Sequence, residues 1–535
     1  MNQAILSHEG ESKSPWMNDF EMHRFMPLHR DIDTEVCIIG GGIAGLTTAY
    51  LLIKEGKKVC ILEDHEIGSG QSGKSTAHFT VALDTPYLEL EKIHGTDGIK
   101  LIAQSHQAAI QVVKEIVFKE SFSCDLEMLD GNLFTTGKLM NGIEKELQAM
   151  HRAGIDSAYL EEKSPLPFHT GPSLRIPNQV QLHPLKYLKG LAEVIQRRGG
   201  KIFTHTHAKQ IHGGGKAHVI TTDGYKIECK SIVVATNTPI NNWFSIHNKQ
   251  TANRTYAVSA LIPSGSVSKA LYWDTLEKNH YIRIQTVDQD HDLLIIGGEG
   301  HRTGQDDEPI QNYIKLETWA RDHFPFIQSF LQRWSGQVFE SIDGIGHLGQ
   351  NPLDQKNVFI ISGDNGNGMT NGTIGAMIIT DEIMTRTNPW SDLYNPSRFK
   401  LKTIREFIKE NLKTASQYAD WIKEKDFEEL EDIPQCQGTV IRKGMKMIAA
   451  YKDENGNIDL HSAICPHLGG IVQWNSSEKS WDCPCHGSRF DAHGAVIEGP
   501  ANRNLKSIRK SSLIPTPFTK KPQKQEQPHT PGAKQ

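Results

Sequence analysis

The chain has 535 residues, 37% of them hydrophobic and 23% charged, a length that makes three to four domains each able to bury a core. Lys and Arg number 58 against 63 Asp and Glu, a formal net charge of −5, which argues against nucleic-acid or anionic-membrane binding through bulk charge and points to small molecules and proteins as partners. Eight cysteines are too sparse for a secreted disulfide framework, so a reducing compartment is expected and any cysteine cluster should be metal or redox chemistry.

Residues 1–33 read as a polar N-terminal arm of no evident structure, without the apolar segment of a secretory signal, so the expected location is cytoplasmic. Val36 to Ile53 carries no charge, yet Gly40, Gly41, Gly42 and Gly45 within it argue against a transmembrane segment. From residue 34 to 395 apolar strand patterns alternate with amphipathic helical ones, as in an α/β fold with a parallel sheet. Glu35 to Ile39 reads as a buried strand, the glycine turn follows, and a helix opens with apolar residues at Ile43, Leu46, Tyr50 and Ile53. In that setting Gly40 permits the tight turn, Gly42 lets a pyrophosphate approach the helix N-terminus, and Gly45 lets helix and strand pack closely. A second strand, Lys58 to Leu62, ends in Glu63, where a carboxylate can accept from a ribose hydroxyl. The pattern predicts a dinucleotide site, the alternative being a glycine turn that serves packing alone, and does not by itself separate FAD from NAD. Gly298 to Gly304 follows the strand Leu293 to Ile296 but leads into Gln-Asp-Asp-Glu rather than an apolar helix face, so it is read as a turn and not as a second nucleotide site.

Residues 396–432 predict a helical connector, with Ile404, Phe407, Ile408 and Leu412 on one face. Residues 433–518 change to short strands, with Asp453 to Asn457 as a hairpin tip, and 519–535 predict a disordered tail. Within the β region, Cys465-Pro-His467 and Cys483-Pro-Cys485-His486 place one thiolate and one imidazole on each of two loops. Cys465 and Cys483 can hold one iron and His467 and His486 a second, the donor division of a Rieske [2Fe–2S] centre. The same donor types also make a tetrahedral Cys₂His₂ zinc site.

Gly70 to His78 and the late glycine run Gly363 to Gly372 carry a resemblance to the D-amino-acid oxidase-like flavoproteins, which include glycine oxidase and the sarcosine and dimethylglycine dehydrogenases. The likeness runs through Leu182 to Pro184, Ser231 to Asn237, Tyr281 to Arg283 and Asp343 to Gly346, and so covers roughly 34 to 395. It implies FAD, with Ser75, Thr76 and His78 approaching the flavin and Gly366, Gly368, Met369 and Thr370 closing the sheet over its ring. His78 lies in a segment resembling the one that carries the covalent flavin link in the dehydrogenases, and the expected reading is a histidine beside a flavin held without that bond. Arg283 is the candidate reader of a substrate carboxylate, or else an ordinary strand arginine. Residues 433 to 515 resemble a Rieske domain, Gly499-Pro500-Ala501 being similar to its proline loop. Gly470 stands where the cytochrome-bc-complex proteins have a cysteine, leaving Cys485 without a disulfide, and Phe490 replaces a tyrosine, leaving Ser488 to donate to the cluster. Together the resemblances imply an FAD-binding Rossmann-like domain interleaved with a mixed-sheet substrate domain, plus a small all-β Rieske domain. The implied activity is oxidation of a C–N bond of an amine or amino acid, with electrons passed through the [2Fe–2S] cluster to an external acceptor, a protein or a quinone. The alternative is a relay between protein partners with no small substrate. A Rieske oxygenase would need a 2-His-1-carboxylate iron triad after the cluster, and His493 and His529 lack its spacing.

Overall fold

The structure is a computed structural model that describes residues 2–4, 12–18, 20–136, 140–241, 246–276, 279–306, 308–398, 430–444 and 446–510. Most of the predicted connector and the whole predicted tail lie outside the described residues. Five strands run parallel in the order Lys201–Phe203, Val59–Leu62, Val36–Ile39, Ser231–Val234 and Val358–Ser362, with His347–Gln350 antiparallel at the edge. The strands Val36–Ile39, Val59–Leu62 and Val358–Ser362 are buried throughout, because a parallel sheet covered on both faces leaves no position facing water. The helix Ile43–Lys54 leaves the first strand, and the helix Gly368–Ile383 packs on it, with Gly372 set against Ile43 and Ala44.

A second sheet of nine strands is interleaved with this unit along the chain, as the resemblance implied. It is mixed: Leu271–Asp274 runs parallel to Glu127–Phe134, while the long strands Gln250–Pro263, His291–Arg302 and Ser329–Ser341 pair antiparallel. Here the reading of Gly298 to Gly304 needs correction, because the strand continues to Arg302 and only Thr303 and Gly304 turn. A bulge absorbs the glycines: the register against Arg254 and Tyr256 shifts where Gly298 and Glu299 adopt φ of 148° and 51°.

Described residues of the N-terminal arm join the core. Trp16 and Met17 are buried with the flavin-domain cluster, the Trp16 indole donates to the Ser75 carbonyl at 2.7 Å, and Ile32–Asp33 pairs with Ile227–Glu228. Burying side chains of this size contributes about 1.5–3 kcal/mol each, enough to hold a segment whose composition looks polar.

Residues 437–462 form a three-stranded antiparallel sheet and residues 473–498 a four-stranded one, closed over a core of Trp481, Phe490, Val472 and Tyr451. The predicted hairpin tip joins Lys446–Lys452 to Ile458–Ser462. Among the described residues no helix is long and apolar enough to cross a membrane.

Candidate functional site

One cavity of about 780 Å³ collects the predicted nucleotide residues. Gly40, Gly42, Glu63, Ser75, Thr76, His78, Gly366, Gly368 and Met369 line it. Gly45 sits beneath, where a Cβ would stand 1.9 Å from the Gly40 carbonyl oxygen, and Gly40 has φ of 108° with the Ala235 carbonyl 2.4 Å from its own Cβ position. Neither backbone contact can yield, so the two glycines are demanded by geometry. Gly45→Val is therefore expected to yield protein without bound flavin, read by absorbance and flavin release, while the iron content stays intact.

The cavity suits FAD. A Cβ at Gly42 would lie 2.8 Å from the Ser72 hydroxyl, so the backbone there is bare where an anion meets the helix N-terminus. Glu63, at the end of the second strand, accepts from the Gly41 and His65 amides at 2.6 and 3.0 Å, and burial pushes its carboxyl up to about 6 against those bonds. Met369, Asn371 and Gly372 of the late glycine helix also line the cavity, whereas Thr370, predicted to close over the flavin, is fully buried and does not line it.

Three carboxylates absent from the sequence-derived candidates line the cavity near enough to repel one another: Asp84, Glu340 and Asp364. Asp84 opens onto the cavity, and enclosure by the cavity wall together with the Glu340 charge raises its carboxyl above the ordinary value. Asp364 accepts from the Phe339 amide at 3.0 Å and is likewise raised to about 7, by burial first. Gly366, with φ of 73°, makes room for Asp84, whose Oδ2 would stand 1.7 Å from a Cβ there. Asp364 lies inside the late glycine run and could have been noticed; Asp84 and Glu340 carry no local signal. His78 stands edge-on to Trp273 and Tyr281, and burial holds its imidazole down to about 3, so the ring is neutral.

Arg283 does not reach this cavity. Its Nη1 donates to the carbonyls of Thr76 and Leu182 at 2.5 and 3.1 Å, its Nη2 donates to Gln285 Oε1 at 2.7 Å, and its guanidinium lies over the Trp16 ring. It braces the segment that carries Thr76 and His78, and burial lowers its pKa to about 9. The carboxylate-reading role is thereby withdrawn.

The two cluster loops converge. Cys465 and Cys483 are both 2% exposed and their thiols share a hydrogen bond that holds Cys465 below its ordinary value and pushes Cys483 above. The rings of His467 and His486 meet at 5.2 Å and perpendicular, and burial keeps both neutral, at about 4. Paired thiols and paired neutral imidazoles are the donor set that a [2Fe–2S] cluster takes, one pair to each iron. All eight cysteines are thiols, and a Cβ at Gly470 would stand 2.4 Å from the Cys485 sulfur, where the absent disulfide partner would be. Ser488 accepts from the Ala501 amide at 3.0 Å, fastening the proline loop, and its hydroxyl reaches Cys465. Phe490 is buried in the β core. Because reduction adds negative charge to the cluster, Ser488→Ala is expected to lower its potential by roughly 40 mV, the one-electron equivalent of about 1 kcal/mol of differential hydrogen bonding. A redox titration followed by EPR measures it.

The cluster domain also forms a wall of the flavin cavity. Val496, Glu498, Gly499 and Ala501 line it. The junction is a buried charge lattice in which Glu478, 1% exposed, takes the Ser12 hydroxyl at 2.7 Å, the Ser335 hydroxyl, Arg254 at 3.4 Å and Lys74 at 3.9 Å. Arg489 pairs with Asp482 at 3.1 Å and Glu498 at 3.5 Å, and Glu498 accepts from Gln71 and Asn237 at 3.2 and 3.3 Å.

A dinucleotide cavity on an interleaved pair of sheets, walled by a small β domain with paired Cys and His loops, defines a flavin oxidoreductase with a built-in Rieske centre. The chain belongs to the FAD dependent oxidoreductase (DAO) family, whose model matches residues 35–382, and a Rieske [2Fe-2S] domain model matches residues 421–509. The putative Rieske 2Fe-2S iron-sulfur protein YhfW of Bacillus subtilis (strain 168) is 31% identical over 498 residues, covering 92% of this chain and 97% of its own. Gamma-glutamylputrescine oxidoreductase of Escherichia coli (strain K12) is 23% identical over 67% of this chain and 85% of its own. Among solved structures, L-proline dehydrogenase from P. horikoshii shares the fold, with a TM-score of 0.56 and 17% identity over 69% of this chain and 98% of that one. FAD and a [2Fe–2S] cluster are accordingly the cofactors of this oxidoreductase.

Proposed function

We propose that the enzyme oxidises a C–N bond of an amine or amino acid and passes the electrons through the cluster to an external one-electron acceptor. The observation that carries this reading is the shared wall: residues 496–501 of the cluster domain line the same cavity as the nucleotide glycines. FAD, when bound, would supply the hydride acceptor, and the imine left would be hydrolysed by water to a carbonyl compound and ammonia, or an amine where the substrate nitrogen carries a second carbon. The protein's own groups prepare the substrate. Asp84, Glu340 and Asp364 make that end of the cavity acidic, which favours a substrate that enters as an ammonium ion. Asp84 and Asp364, both raised above the ordinary carboxylate value, are placed to take its proton at a carboxylate oxygen and leave the amine lone pair available. With Arg283 committed elsewhere, a substrate carboxylate would be met by another cation of the cavity lining, such as Arg302. The names of the gamma-glutamylputrescine and proline relatives are consistent with C–N oxidation in this family.

Anaerobic mixing with a panel of amines and amino acids tests the reading. Bleaching of the flavin absorbance, followed by the reduced-cluster EPR signal, is the expected result for at least one amine. A chain that only relays electrons between proteins would bleach with none of them.

A further inference from the structure

His247 belongs to the flavin unit, yet its surroundings are those of the cluster. It is 2% exposed, and its ring stands perpendicular to that of His467 at 4.8 Å and close to that of His486 at 6.1 Å. On its other side His247 Nδ1 lies 3.2 Å from the Thr238 hydroxyl, which itself accepts from Gln250 Nε2 at 3.3 Å. Together these bonds fix the plane of the His247 ring against the two ligand histidines. Thr238 continues directly from Thr236 and Asn237, which line the flavin cavity, and it lies 3.5 Å from the Cβ position of Gly499, another cavity residue. A short packed route thus runs from the cavity wall through Thr238 and His247 to both histidine ligands. The cluster ligands face the flavin unit across this route, and the lattice around Glu478 and Arg489 holds them there.

We infer that His247 is a positioning residue for electron transfer, seating the His467 and His486 edge of the cluster against the wall of the flavin cavity and serving as the contact between the two sites. The inference rests on the proposed direction of electron flow. In each transfer a reduced flavin would give up one electron and one ferric ion would become ferrous, and over the two transfers that restore the oxidised flavin its N5 proton would pass to solvent. The second electron follows once an external one-electron acceptor has emptied the cluster.

The test uses the full-length holoprotein with His247→Phe, which keeps a ring of similar size, and His247→Ala, which removes it. Both variants should retain FAD, two irons and sulfide. Flavin is reduced photochemically under anaerobic conditions, so no substrate is needed, and the cluster is followed by rapid-mixing absorbance and freeze-quench EPR. His247→Phe should shift the EPR g-values and the cluster potential, because the imidazole beside both ligands is gone. His247→Ala should also slow cluster reduction by about tenfold, equivalent to about 1.4 kcal/mol on the barrier. A role in packing alone predicts that phenylalanine restores wild-type EPR and potential, and that result, or an unchanged rate in the alanine variant, overturns the inference. Photoreduction also separates this inference from the functional reading: fast cluster reduction in the unaltered protein when no amine bleaches the flavin would defeat the substrate proposal and leave the route standing.

Discussion

Replacing Glu478 by alanine is expected to release FAD while leaving the [2Fe–2S] cluster assembled. Glu478 is the counter-charge for Lys74 and Arg254, all three side chains at most 1% exposed. Removing one partner from a buried pair strands the other charge in a low-dielectric site, at a cost of about 3–5 kcal/mol. Lys74 belongs to the segment that includes Gln71, Ser75 and Thr76 along the cavity, so the stranded charge disrupts the flavin wall first. The cluster loops, 465–470 and 483–488, draw their support from the β core and are spared. Flavin-to-protein ratio after gel filtration, beside iron content, reads the outcome. The same lattice sets an acid limit. Burial raises the Glu478 carboxyl, but Lys74, Arg254 and Arg489 outweigh it and leave it below its ordinary value; Asp482 is lowered in the same way, chiefly by Arg489. A depressed carboxylate contributes stability that is full above its unfolded value, about 4, and lost as pH falls through the lower folded value. Glu498, raised by burial despite Arg489, works in the opposite sense. Flavin release on acidification should therefore set in below pH about 4 in the native chain, and Glu478→Gln should flatten that dependence while lowering stability at neutral pH.

The complementary result is expected from Cys465→Ser or His486→Ala: complete loss of the cluster with FAD retained. Each change removes one of four donors, and two irons cannot be held by the remaining three. The flavin wall survives because Glu498 is fixed by Arg489, Gln71 and Asn237, none of which is a cluster ligand. Substrate or light should still bleach the flavin, while reduction of a one-electron acceptor such as ferricyanide falls towards the rate of direct flavin oxidation. Iron and sulfide analysis, EPR and the two assays together distinguish this from Glu478→Ala. Loss of FAD along with the cluster would mean that the metal centre, and not the charge lattice, holds the domain in place.

What the sequence determines by itself is whatever depends on neighbours along the chain. Gly40, Gly42 and Gly45 are legible because a strand, a tight turn and a helix make their demands within a few residues. The cluster ligands are legible because each loop carries its own thiolate and imidazole, and the Gly470 departure needed only the position to be read. Everything that depends on distant partners was decided by tertiary structure. Arg283 suits a carboxylate in isolation, but Thr76 and Leu182 bring it carbonyls from two other segments, and a buried guanidinium takes the acceptors that folding supplies. The arm looks polar until the flavin core offers Trp16 a hydrogen bond and a hydrophobic wall. Gly298 to Gly304 carries turn residues, yet pairing with Gln250–Pro263 keeps the chain extended and spends the glycines in a bulge. Lys74 with Glu478, and His247 with His467, meet only because the β domain docks on the flavin unit. No spacing rule links residues so far apart, since a buried charge or an enclosed ring is set by where the chain returns and not by its local sequence.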